Sequence, residues 1–115
     1  RQTFNNVKGP NICIGAVAGT LNSVYYGRQA KEQYLDNPDE RVDVVVFGHT
    51  HVPEYRKIGD GRYYLNDGTW IDHNTDYPDS TCTFAVITTG DKDTAALYRF
   101  TRDGSVVDIG ASVSK

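Results

Sequence analysis

The stretch that most constrains this chain is Val42 followed by Val44-Val45-Val46-Phe47, broken only by Asp43 and cut off at Gly48. Valine is stiff at χ1 and packs well on a pleated surface, so the run reads as a strand. Its apolarity is continuous rather than alternating. A strand wetted on one face shows a polar residue at every second position; a run without them is covered on both faces, as in the middle of an α/β layer. Just upstream, Arg28 to Asp36 are good helix formers, and Tyr26, Ala30 and Tyr34 recur four apart with Leu35 beside them. That spacing predicts a helix with one apolar face. Asn37-Pro38 ends it, because the proline ring disfavours helical geometry in the residue before it. Helix, short polar connection and covered strand make half of a β-α-β unit.

Downstream the character becomes antiparallel. Residues 52–58 and 62–66 flank Gly59-Asp60-Gly61, a hairpin loop, and Asn66-Asp67-Gly68 is a turn into a short strand at Thr69-Trp70-Ile71. Residues 83–88 and 94–100 pair across the 89–93 loop, and Asp103-Gly104 turns into 105–109. Residues from about 50 onward therefore read as a β-meander. Residues 1–25 are the least legible: Asn5, Asn6, Lys8, Gly9, Pro10 and Asn11 read as loop, and Ile12–Val17 is open between a buried strand and a helix segment. The body of the domain is expected over 26–110, with a frayed tail at 111–115. A strand covered on both faces needs neighbouring strands and flanking helices. One convincing helix is too few, so the missing layers come either from residues 1–25 or from outside this chain.

Composition narrows the function. With 115 residues there is room for one domain, and 12 basic against 15 acidic side chains leave a net charge of −3, which argues against nucleic acid as a charge-driven partner. No apolar run approaches the roughly 20 residues of a membrane span, so no membrane partner is expected. The two cysteines, Cys13 and Cys82, fit neither a metal knuckle nor a Cys-x-x-Cys pair; a disulfide is open, two reduced thiols in a cytoplasmic protein the plainer reading.

The chemistry sits at the end of the valine run, in Gly48-His49-Thr50-His51. In extended geometry an i, i+2 spacing turns both imidazoles to the same side, where they can converge on one metal centre. Gly48 lets the backbone turn sharply at the strand's exit. The C-terminal end of a strand in an α/β layer is also where ligand sites form.

Gly48-His49-Thr50-His51, preceded by four apolar residues, resembles the Gly-His-x-His motif that closes the metal site of the calcineurin-like metallophosphoesterases. The resemblance continues through Tyr64-Leu65-Asn66-Asp67-Gly68-Thr69-Trp70, where family members often carry a Tyr-x-Asn-Pro-Gly-Ser-like turn, with Asp67 and Thr69 as departures. It covers about Tyr25 to Ile109. The fold it implies is α+β: the C-terminal part of a two-sheet sandwich with one clear helix, one buried strand and a mostly antiparallel meander. It implies metal ligation by His49 and His51, each to one ion of a pair of divalent metals (Mn, Fe, Zn or Ni), and hydrolysis of phosphomonoesters or phosphodiesters by metal-bound hydroxide. The family's earlier Asp-x-His, Gly-Asp-x-x-Asp and Asn-His motifs are not in this chain. Two imidazoles give an ion fewer protein ligands than the three of an open zinc site, so the isolated chain is expected to be an inactive C-terminal fragment.

Arg56 and His73 are weaker candidates for touching the phosphoester substrate, and the plainer reading of each is a solvated surface residue. Asp67 and Asp72 are read either as turn and strand-end residues or as carboxylates orienting an imidazole. The alternative function, from a different class, is a phosphoesterase-like scaffold that has lost catalysis and binds partners through its sheet, as the family's retromer subunit does. A free-standing β-domain with incidental histidines is a third. A truncated sandwich would also leave an open sheet edge and an apolar patch, which favour self-association.

Overall fold

A computed structural model of the chain describes residues 4–8, 12–17, 23–48, 50–71 and 78–114, with side chains from Tyr25 onward. Phe4–Lys8 (β1) pairs antiparallel with Ile12–Val17 (β2). Helix α1, Ser23–Ala30, runs into a π-helical turn at Lys31–Leu35 and leads to Val44–Phe47 (β3), which lies parallel to β2. Glu54–Gly59 (β4) and Arg62–Asn66 (β5) form the hairpin expected around Gly59-Asp60-Gly61. Its second arm, β5, slots in beside β3 and parallel to it, so the first sheet has the order β1-β2-β3-β5-β4. Thr83–Thr88 (β6), Thr94–Phe100 (β7) and Val106–Asp108 (β8) make a separate antiparallel sheet.

The valine run is covered on both faces, as its composition demands. Val45 and Phe47 turn towards α1, joining Tyr26, Ala30, Leu35, Val42 and Tyr64 in one core. Val44 and Val46 turn the other way, meeting Tyr63, Leu65, Ala95 and Leu97 between the two sheets. Helix, mixed sheet and antiparallel sheet stack as three layers with β3 in the middle one.

Four local readings change. Asn5, Asn6 and Lys8 are strand rather than loop: β1 is an edge strand, where polar side chains are tolerated and pairing outweighs propensity. The helix begins before Arg28, and its last turn is π-helical, with Asp36 N–H bonded to Lys31 C=O at 2.8 Å. The wider turn brings Leu35 under the same face as Ala30, five residues earlier, which an α-helix would not do. Thr69–Ile71 forms no strand, because the Thr69 hydroxyl takes the Ile71 N–H at 3.1 Å and makes a turn. The tail at 111–114 is anchored: Tyr55 N–H bonds Val113 C=O, Ser114 bridges to Tyr55 along the open edge of β4, and Val113 packs on the inter-sheet core.

Candidate functional site

The parallel strands β3 and β5 run in register, Phe47 beside Asn66, so their C-terminal ends stop at one edge of the sheet. Two connections leave that edge side by side: residues 48–53, carrying the histidine motif, and the turn 67–69. Their backbones are tied, Asp67 N–H donating to Phe47 C=O at 3.0 Å. Asp67 C=O in turn accepts from the Thr83 hydroxyl, which links the turn to the second sheet. Gly68 is required there twice over: its φ is +66°, and a Cβ would stand 2.6 Å from Thr83 Oγ1 and 3.3 Å from Pro53.

Within the histidine loop, Thr50 is buried and His51 is exposed. The Thr50 hydroxyl accepts from Val52 N–H at 3.2 Å, closing a tight turn. His51 has φ +60°, so the extended geometry that would align the two imidazoles does not hold at this residue. His49 lies outside the described residues, as do His73 and Asp72. Asp67 stands at the base of the loop. Its Oδ1 is 3.0 Å from where a Cβ on Gly48 would lie, so a larger residue there would push this carboxylate back by a few tenths of an ångström from the exit of β3. Burial pushes the Asp67 carboxyl above its ordinary pKa, opposed by its own backbone N–H.

Arg56 is committed to structure. It donates from Nε and Nη2 to Glu54 Oε2 at 3.1 and 2.7 Å, and its guanidinium lies 5.6 Å from the centre of the Tyr64 ring and flush against Gly27 of α1. The pairing of Glu54 with Asn66 and of Arg56 with Tyr64 puts all four on one face of the hairpin, under the helix. Glu54 is fully buried there. Among the described residues, Glu54 Oε1, Asn66 Nδ2 and the Tyr64 hydroxyl have no hydrogen-bond partner. Burial, and then the Glu54 carboxylate, push the Tyr64 phenol well above its ordinary value, with the nearby Arg56 guanidinium opposing. Sequence reasoning missed this cluster. The signal was available in Glu54-x-Arg56, an opposite-charge pair at the i, i+2 spacing that shares one strand face.

Imidazole and carboxylate are donor types that suit borderline divalent ions. Among the described residues, however, no three His, Cys, Asp or Glu side chains gather to hold one. The described residues fit a divalent metal in kind, and His49, Asp72 and His73 lie outside them.

No protein-family model matches the chain, and no curated protein does. Solved structures do. A doubly substituted Vps29 from Entamoeba histolytica is 27% identical with a TM-score of 0.54, and the similarity covers 91% of this chain and 59% of that one. Wild-type Vps29 from the same organism, complexed with Zn2+, is 26% identical with a TM-score of 0.52, covering 93% of this chain and 61% of that one. Vacuolar Protein Sorting 29 from Cryptosporidium parvum is 23% identical with a TM-score of 0.57, covering 91% and 53%. The fold is metallophosphoesterase-like. Within the metallophosphoesterase-like fold this chain spans little more than half the length of the structures it matches. The C-terminal sheet edge, with the 48–53 loop and the Asp67 turn together on it, is its candidate site.

Three further features bear on the setting. Cys82 is free. No helix among the described residues is long and apolar enough to cross a membrane. The outer face of the β6–β7–β8 sheet is apolar: Trp70, Val86, Phe100 and Val106 are exposed along it, and Trp70, Phe84 and Tyr98 follow one another at centroid spacings of 6.4 and 5.8 Å.

Proposed function

We propose that this chain is part of a phosphoesterase-like scaffold, a domain that engages other proteins through its sheet surface rather than turning over a phosphoester. The observation that carries this reading is the likeness to Vps29, proteins named for vacuolar sorting, at 27% and 26% identity over nearly the whole of this chain. The exposed apolar face of the second sheet supports it, since large contiguous apolar patches on a soluble domain mark interaction surfaces.

A second reading keeps the phosphoesterase chemistry, and the zinc complex of a similar protein favours it. In that reading His49 and His51 hold metal. A bound ion pair would supply Lewis-acid polarisation of the phosphoryl oxygens and an activated water. This chain's own contribution would be to present His51 on an exposed turn at the sheet edge that also carries the half-buried Asp67.

One experiment can overturn the scaffold reading, whereas an inactive chain is the outcome both readings share, because the family's earlier metal motifs are not in this chain. The purified 115-residue chain is incubated with p-nitrophenyl phosphate and Mn2+ or Zn2+. The scaffold reading expects no turnover above the metal-only blank. Enzyme-like turnover that disappears in His51→Ala would overturn it and locate the catalytic site.

A further inference from the structure

The first sheet ends on β4, and the backbone on the outward side of that strand is covered by one turn of chain. Tyr55 N–H points away from β5, to Val113 C=O at 3.4 Å, and Ser114 bridges to Tyr55 in the parallel sense. The turn is held by its own bonds: Ser112 and Val113 N–H both donate to Ile109 C=O, and the Ser114 hydroxyl donates to Gly110 C=O. Val113 packs on the inter-sheet core. Alternation along the strand gives Lys57 the same outward backbone as Tyr55, and Lys57 is exposed. Outward N–H and C=O groups on an edge strand are a template for another strand. The stretch able to pair is short. Pro53 before it has no N–H, and the register with β5 shifts between Lys57 and Gly59.

We infer that β4 is a docking edge for a second copy of this chain, and that the 109–114 turn is the strap that holds it shut. The edge is self-complementary in charge. When two β4 strands meet antiparallel with Tyr55 opposite Tyr55, each Tyr55 N–H reaches the C=O of the other. Glu54 of one copy then stands opposite Arg56 of the second copy, and Lys57 opposite Pro53. Opposite charges face each other twice and like charges not at all. The neighbouring registers that also match outward backbone groups set Arg56 against Arg56 or Glu54 against Glu54, so charge selects one register of the three. The pairing is two-fold and closes on itself, which makes a dimer rather than a fibre. Strap and second copy compete for the same Tyr55 N–H, so only one of them is seated at a time. The inference draws on neither histidine and stands whether or not the scaffold reading does.

The test is sedimentation velocity of the full chain across a concentration series, with amide hydrogen exchange read at Tyr55 and Lys57. Val113→Asp puts a carboxylate where the strap packs on the core. The dimer should then tighten about tenfold over the parent, and the Tyr55 and Lys57 amides should exchange more slowly as concentration rises. Val113→Ala should move the same way by a smaller factor, and it carries the test should Val113→Asp fail to fold. Lys57→Pro removes an outward N–H and should return the Val113 variants to monomer. Phe100→Lys, on the outer face of the second sheet, should leave the dimer unchanged. Val113 variants that associate no more tightly than the parent, a dimer that survives Lys57→Pro, one lost in Phe100→Lys, or one whose Tyr55 and Lys57 amides exchange at the monomer's rate would each overturn the inference.

Discussion

Glu54 and Gly68 show how much of the loop edge depends on single atoms. Glu54 is buried at the start of β4, two residues beyond Val52, and its Oε2 holds Arg56 by two hydrogen bonds beneath α1. Glu54→Ala strands the guanidinium against Gly27 and Tyr64, so a loss of about 1.5–3 kcal/mol is expected in urea denaturation, the range for hydrogen bonds to charged groups. The partial exposure of Arg56 keeps the figure below that of a fully enclosed pair. Gly68→Ala should cost about 1–3 kcal/mol from its left-handed backbone alone. The added methyl also meets Thr83 and Pro53, so the loss should exceed that of the same change at Gly104, whose φ is +85° with nothing within 4 Å. Tyr64 makes the alkaline prediction. Its folded pKa is raised, so above about pH 10 an unfolded chain releases a phenolic proton that the native one keeps. Stability therefore falls as pH rises from there, and Tyr64→Phe should flatten that part of the denaturation profile.

At the scale of elements, the join between the π-helical turn and β5 is electrostatic as well as apolar. Asp36 sits beyond the turn, held by Lys31 and by Arg62 at 2.9 Å, and Arg62 also donates to Leu35 C=O. The Lys31 and Arg62 hydrogen bonds hold the Asp36 carboxyl below its ordinary value. A depressed acid contributes stability that is present above its unfolded pKa, near 4, and is lost as pH falls through the folded one. Asp36→Asn should thus remove a small part of the acid-side slope without changing the midpoint order of other variants. The group is exposed to solvent, so the effect should also shrink in salt. The helix itself was readable in outline from Tyr26, Ala30, Tyr34 and Leu35. Its π-helical end was not, because sequence spacing assumes a fixed number of residues per turn, and the turn widened to seat Leu35 on β3.

For the whole molecule, the two faces of β7 have opposite fates. Leu97 points between the sheets at zero exposure, whereas Phe100 lies on the outer face at 44%. Leu97→Ala should cost about 2–5 kcal/mol by removing buried methyls and leaving a cavity. Phe100→Lys should stay within about 0.5 kcal/mol of the parent, as surface changes do, while lowering the binding of an apolar dye such as ANS. A comparable stability loss at both positions would mean that the outer face is covered by more than solvent.

Some of this was written in local chemistry. The continuous run from Val44 to Phe47 required cover on both faces, the Gly59-Asp60-Gly61 loop required a hairpin, and Gly48-His49-Thr50-His51 marked where a site would lie. These follow from backbone preference and the alternation of side chains along a strand, which act over a few residues. What only the tertiary structure decided was who stands beside whom. Strand β5 enters between β3 and β4, Asp67 folds over Gly48, Glu54 and Arg56 vanish under the helix, residues 111–114 dock on an edge, and the loop ending at Asp93 meets the turn at Gly61. Each depends on pairing between segments tens of residues apart, where the free energy comes from burial and hydrogen bonding in three dimensions and leaves no periodic trace in the order of the residues.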